Sequence, residues 1–86
     1  MKKITMFTME SCPYFKDARR WMNEVLESDE KYQKIPLVII DEVEEPELAA
    51  TFDYYYVPTY YIGDEKVHEG AATFESVKKV FDGALN

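Results

Sequence analysis

The sequence predicts a small α/β domain whose elements run strand, helix, strand, helix, strand, strand, helix. Three observations carry that order. Residues 4–9 alternate with apolar side chains in both rows, as in a strand covered on two faces. From Phe15 to Leu26 the apolar residues recur at helical spacing. A continuous apolar run then precedes an acidic stretch, and a turn signal at Gly63-Asp64 later joins two short strand-like segments.

Taken in order, Ile4, Met6 and Thr8 form one row of the first strand, and Thr5, Phe7 and Met9 the other. Ser11 or Cys12 can cap the helix that follows, and Pro13 suits its first turn, where a missing N–H costs nothing. Phe15, Ala18, Trp21, Met22, Val25 and Leu26 make its inner face, and it ends near residues 27–29 in a charged loop. Residues 35–40 read as a buried parallel strand. Pro46 opens a short helix over residues 47–52, with Glu44, Glu45 and Glu47 complementing its positive start. Tyr54, Tyr55, Tyr56, Val57 and Pro58 lead into a strand over residues 59–62. Residues 66–69 return as its hairpin partner, and Gly70 ends them. Thr73 caps a last helix with Phe74, Val77, Val80, Phe81 and Leu85 inward and Gly83 near its end.

At 86 residues the chain supports one core, so residues 1–86 are read as a single domain. Apolar residues at 47% with 31% charged residues describe a globular chain rather than a disordered one. Lys and Arg number 10 against 17 Asp and Glu, a net charge of −7 that argues against nucleic acid and anionic membranes as partners. No segment reads as a signal peptide or a membrane span, which points to a cytoplasmic protein. One cysteine excludes an internal disulfide, and with one histidine no metal site is expected.

The element order, together with Ser11-Cys12-Pro13-Tyr14-Phe15 and Val57-Pro58-Thr59, resembles the thioredoxin superfamily in its small glutaredoxin-like form. Residues 11–15 resemble the C-P-Y-C active site with its last cysteine replaced, and residues 57–59 resemble the V-P-T element that carries a cis-proline. The stretches 41–48 and Gly70-Ala71 are similar to those of small thioredoxins. The resemblance implies a βαβαββα fold, a four-stranded mixed sheet flanked by three helices. It implies that Cys12 is the catalytic nucleophile and that Pro13, Tyr14, Lys16, Val57, Pro58 and Thr73 contact substrate.

A thiolate is the reacting form of cysteine, and a helix start with Lys16 one turn on favours it, while Glu10 and Asp17 oppose. Phe15 stands where the resemblance places a resolving cysteine, so two-thiol chemistry within one chain is excluded. What remains is monothiol exchange: Cys12 attacks a glutathione mixed disulfide and a second glutathione releases it. The implied co-substrate is glutathione or a thiol-containing protein, with no tightly bound cofactor, on a monomer that can link through Cys12 on oxidation. Met9 occupies a position where glutaredoxins carry Lys or Arg, and Gly70-Ala71-Ala72-Thr73 lacks their Gly-Gly and Asp pattern. Thr73 is therefore read as a helix cap or as an ammonium acceptor. Two alternatives stay open: a module that binds glutathione or a cysteine-containing peptide without turnover, and a carrier holding an iron–sulfur cluster between two chains. The tyrosines are read as core packing or an aromatic rim, Trp21 as core, His68 as a solvated edge residue, and Glu42, Glu44, Glu45 and Glu47 as a solvated acidic face.

Overall fold

The computed structural model describes residues 1–85. Its elements are β1 (Ile4–Thr8), α1 (Pro13–Ser28), a 3-10 turn (Glu30–Lys34), β2 (Leu37–Asp41), α2 (Pro46–Ala49), β3 (Thr59–Ile62), β4 (Glu65–Glu69) and α3 (Phe74–Ala84). The sheet order is β2-β1-β3-β4. β1 pairs parallel with β2, Ile4 opposite Leu37, and antiparallel with β3, Ile4 opposite Ile62. β4 returns antiparallel to β3, with a bulge between Tyr60 and Tyr61.

All five residues of β1 are buried, as its double apolar alternation predicts. Ile4 and Met6 belong to the larger core, between the sheet and α1 with α3; Phe7 belongs to a smaller one with Ile40, Ala49 and Tyr61. The neighbours Tyr60 and Tyr61 likewise split between these two cores, because successive strand residues face opposite ways. Ala18, Met22 and Val25 seat α1 on the larger core. Thr73 begins α3 with a capping box, its hydroxyl accepting from the Ser76 N–H at 3.1 Å while Ser76 Oγ accepts the Thr73 N–H at 2.8 Å. Gly83 lets α3 lie close to the sheet, since a Cβ there would stand 3.1 Å from Ile62 Cδ1.

Several sequence expectations are corrected. Residues 37–41 do pair parallel, but at the sheet edge, and Val38 and Ile39 remain exposed. A four-residue α2 covers only the far end of this strand, at Ile40. α2 stops at Ala49 rather than Phe52; the next turn tightens into bonds from Thr51 N–H to the Leu48 carbonyl and Phe52 N–H to the Ala49 carbonyl. The loop expected after α1 is a 3-10 turn whose Tyr32 is buried and donates to Asp82 Oδ1 on α3 at 2.5 Å. Among the described residues, no helix is long and apolar enough to cross a membrane.

Tyr60 is fully buried, and its hydroxyl has no hydrogen-bond partner among the described residues. Burial drives its phenol pKa upward, so the group stays neutral. A buried hydroxyl without a partner is destabilising by about 1 kcal/mol or more. Tyr60→Phe is therefore expected to raise the free energy of unfolding by about 1 kcal/mol in urea titrations. A loss of that size instead would mean that the hydroxyl is bonded in solution.

Candidate functional site

The parallel pairing of β1 and β2 sends both chains out at one end of the sheet, and β3 begins at that same end. Loops from distant parts of the sequence therefore converge there. Cys12 follows β1 as the N-cap of α1, with extended backbone (φ −74°, ψ 123°) and Pro13 at the first helical position. Its N–H donates to the Met9 carbonyl at 2.9 Å, which turns the chain from strand into helix. The thiol makes no side-chain cap bond and is half-buried. Its sulfur lies 3.9 Å from the carbonyl oxygen of Val57, 45 residues away in sequence.

The Val57–Pro58 bond is cis. Pro58 is buried, and its carbonyl accepts the N–H of Gly70 at 2.9 Å. Gly70 holds φ +96°, a conformation that favours glycine. Cys12 also borders an open cavity of about 450 Å³. Cys12, Pro13, Phe15, Lys16 and Arg19 line it together with Glu10 and Ser11. Lys16 thus shares a wall with the thiol, as its spacing predicts. Arg19 was not foreseen, though Cys12, Lys16 and Arg19 follow one another at helical intervals of four and three. Phe15 is half-buried: one side packs on the larger core and another lines the cavity.

The remaining candidates separate. Tyr14 is 52% exposed and does not line the cavity. Thr73 also lies outside its lining, and its hydroxyl serves the capping box. Of the tyrosine run, Tyr54 is structural: it stacks on Phe7 at 5.0 Å and donates to Glu42 Oε1 at 2.8 Å. Burial, reinforced by that carboxylate, holds its phenol protonated. Glu42 is accordingly not a purely solvated charge. Tyr55 and Tyr56 are 83% and 71% exposed. His68 is half-buried, and its Nε2 lies 3.0 Å from the Gly70 carbonyl and 3.2 Å from that of Ala71. Since carbonyls only accept, Nε2 carries the proton there.

Two carboxylates outside the foreseen set secure these loops. Asp41, the last residue of β2, accepts the N–H of Glu10 at 3.1 Å and that of Val43 at 2.8 Å, tying the Cys12 loop to the neighbouring strand. The Val43 amide leads the causes that hold its carboxyl below the ordinary range. Glu69, the last residue of β4, accepts from Lys66 Nζ at 2.9 Å and from the N–H groups of both Tyr55 and Tyr56, the latter at 2.9 Å. Lys66, then the two amides, bring its carboxyl from 4.5 down to about 2. Among the described residues, no group of three or more side chains is placed to hold a metal ion.

Neither a family model nor a curated protein sequence matches the chain. Among solved structures it is similar to the oxidised thioredoxin from Plasmodium falciparum, with a TM-score of 0.73 and 20% identity over 96% of this chain and 80% of that one. The fold is thioredoxin-like.

A carboxyl whose folded pKa is depressed contributes stability above its unfolded value, and that stability is lost as pH falls through the folded value. For Glu69 the window runs from 4.5 down to about 2. Asp41 and Asp82 are also lowered, so the wild-type slope is not due to Glu69 alone. The difference between wild type and Glu69→Gln isolates its share. Wild type is expected to be the more stable near neutrality, with the two unfolding curves converging as pH drops through that window. Parallel curves would show that the carboxylate is not held in solution as it is here.

Proposed function

We propose that the chain is a thiol–disulfide oxidoreductase acting through Cys12 alone, on disulfides of glutathione or of cysteine-containing polypeptides. The observation that carries this reading is the 3.9 Å approach of the Cys12 sulfur to the Val57 carbonyl, on a thioredoxin-like fold. An extended chain whose cysteine meets Cys12 can pair its backbone with that of Val57, a short strand addition.

The exchange follows from one thiol. The Cys12 thiolate attacks a sulfur of the mixed disulfide between a substrate thiol and glutathione. A bond forms between Cys12 and the glutathione sulfur, and the substrate leaves as thiolate and takes a proton from water. A second glutathione thiolate then attacks the glutathione sulfur on Cys12 and releases the enzyme thiolate with glutathione disulfide. The two exchanges sum to one mixed disulfide and one glutathione thiol giving the free substrate thiol and glutathione disulfide, so the second glutathione is the reductant. No second cysteine in the chain can take the last step. Val57 and Pro58 orient the substrate, Pro13 and Tyr14 border it at the helix start, and Lys16 with Arg19 give the cavity wall a positive surface for an incoming anionic thiolate.

A second reading is favoured by Phe15, whose ring lines the cavity beside Cys12. In that reading the chain holds glutathione or a cysteinyl peptide on Cys12 without turnover. Turnover of a small glutathione mixed disulfide with glutathione as reductant supports the enzyme; a stable one-to-one adduct with no turnover supports the binder. In either case Cys12→Ser is expected to bring adduct formation with glutathione disulfide to background, read by intact mass. Glutathionylation surviving at full rate in that variant would remove the basis of both readings.

The Phe15 N–H donates to the Cys12 carbonyl at 3.1 Å, so the two residues stand one tight turn apart. Phe15→Cys is expected to close an intramolecular disulfide under oxidising conditions, at a cost of about 2 kcal/mol for a half-buried ring. Thiol titration checks it: persistence of both thiols under oxidation would contradict the local geometry.

A further inference from the structure

In the segment bringing Val57 to Cys12, Tyr55 and Tyr56 are exposed, while Tyr54 and Val57 pack on the smaller core and Pro58 is buried. Beside that packing the segment is held through its backbone. On one side the Pro58 carbonyl takes the Gly70 N–H at 2.9 Å. On the other, Glu69 Oε2 accepts the successive N–H groups of Tyr55 and Tyr56, while its Oε1 is bound by Lys66 Nζ at 2.9 Å. Thr59 Oγ1 further donates to the Tyr56 carbonyl. Two backbone holds thus flank Val57 in addition to its packing on the smaller core, and both derive from the end of β4. The Val57 carbonyl faces the Cys12 sulfur.

We propose that Glu69 is a positioning residue for exchange at Cys12, setting where the Val57 backbone meets substrates that carry a peptide backbone. The inference rests on the exchange chemistry proposed above. Tyr56 is joined directly to Val57, so releasing its amide moves the next peptide group, and a displacement of about 1 Å in a positioning element can cost up to ~100-fold in rate. Cys12 is anchored separately, by Met9 and through the Asp41–Glu10 bond. Loss of the Glu69 clamp therefore leaves the thiol in place and frees the Tyr55–Tyr56 backbone, shifting the Val57 peptide group from one side. Its depressed pKa keeps the carboxylate ionised, hence an acceptor, at every pH where a thiolate reacts.

The test compares two disulfides in single-turnover formation of the Cys12 adduct, read by intact mass. One is the symmetric disulfide of N-acetyl-Gly-Cys-Gly-amide, which carries a backbone. The other is bis(2-hydroxyethyl) disulfide, which does not. In each case the Cys12 thiolate attacks one sulfur, a Cys12–sulfur bond forms, and the other half leaves as thiolate. Alkylation of Cys12 by iodoacetamide reports the intrinsic thiol. Glu69→Ala, and Glu69→Asp with its shorter reach, are expected to lower the peptide-to-hydroxyethyl rate ratio by about tenfold with alkylation unchanged. Glu69→Gln, whose amide oxygen still accepts from both N–H groups, is expected to stay near the wild-type ratio. Should Glu69→Ala not fold, Glu69→Asp supplies the same comparison. An unchanged ratio in Glu69→Asp overturns the inference, as does an equal fall in both disulfides and alkylation. A wild type that reacts with neither disulfide defeats the exchange reading itself, which is a different outcome from wild-type exchange insensitive to position 69.

Discussion

Burial of β1 on both faces is the constraint from which the rest of this structure follows. A strand apolar in both rows is stabilised by a layer on each face, and β1 takes in addition a partner strand on each side. β2 and β3 supply the partners, α1 with α3 one layer, and α2 with the aromatic group of Phe52, Tyr54 and Tyr61 the other. Because β2 runs parallel to β1 and β3 antiparallel, the ends of β1 and β2 and the start of β3 share one border. Cys12, Asp41 and Val57 meet at that border because of strand direction, before any side chain there is considered.

What could be read from the sequence and what could not divide along a physical line. Side-chain periodicity reports which residues are buried, so β1, α1, β3 and α3 were legible, including the division of Tyr60 from Tyr61. A cap is a side-chain interaction at fixed spacing, and Thr73 with Ser76 shows it. The position of β2 was not legible. A continuous apolar run reads alike at the centre and at the edge of a sheet, and only the pairing leaves Val38 and Ile39 uncovered. Tyr32 was lost for a related reason: one buried residue in a charged turn makes no period.

Within the site, Cys12 and Lys16 were singled out by residue type and helix position, and Val57 and Pro58 by the resemblance carried by residues 57–59; the structure brings the Val57 carbonyl to the Cys12 sulfur. Glu69 and Asp41 carry none. Both act on backbone N–H groups, which every residue but proline supplies, so nothing in residues 10, 43, 55 or 56 marks the bond. His68 escaped likewise, its partners being carbonyls. Arg19 is a different omission: its helical interval to Cys12 was visible, but one member of the Arg19-Arg20 pair gives no reason to prefer it until the cavity is seen.

Phe15 joins the two halves of the molecule's design. Its amide follows the Cys12 carbonyl in the first turn of α1, while its ring reaches both the larger core and the cavity wall. A cysteine at this position would offer a thiol to the site but little surface to the core. The aromatic residue does the reverse. In the proposed chemistry the second thiol must then arrive from solvent, as an anion meeting a chain of net charge −7. The wall it passes carries Lys16 and Arg19, one turn apart on the exposed flank of α1, against the single carboxylate of Glu10. Ring and cations are successive positions of one helical stripe. In the proposed chemistry, the turn that carries Phe15 in place of a second thiol therefore also carries the cations that an external thiolate would pass.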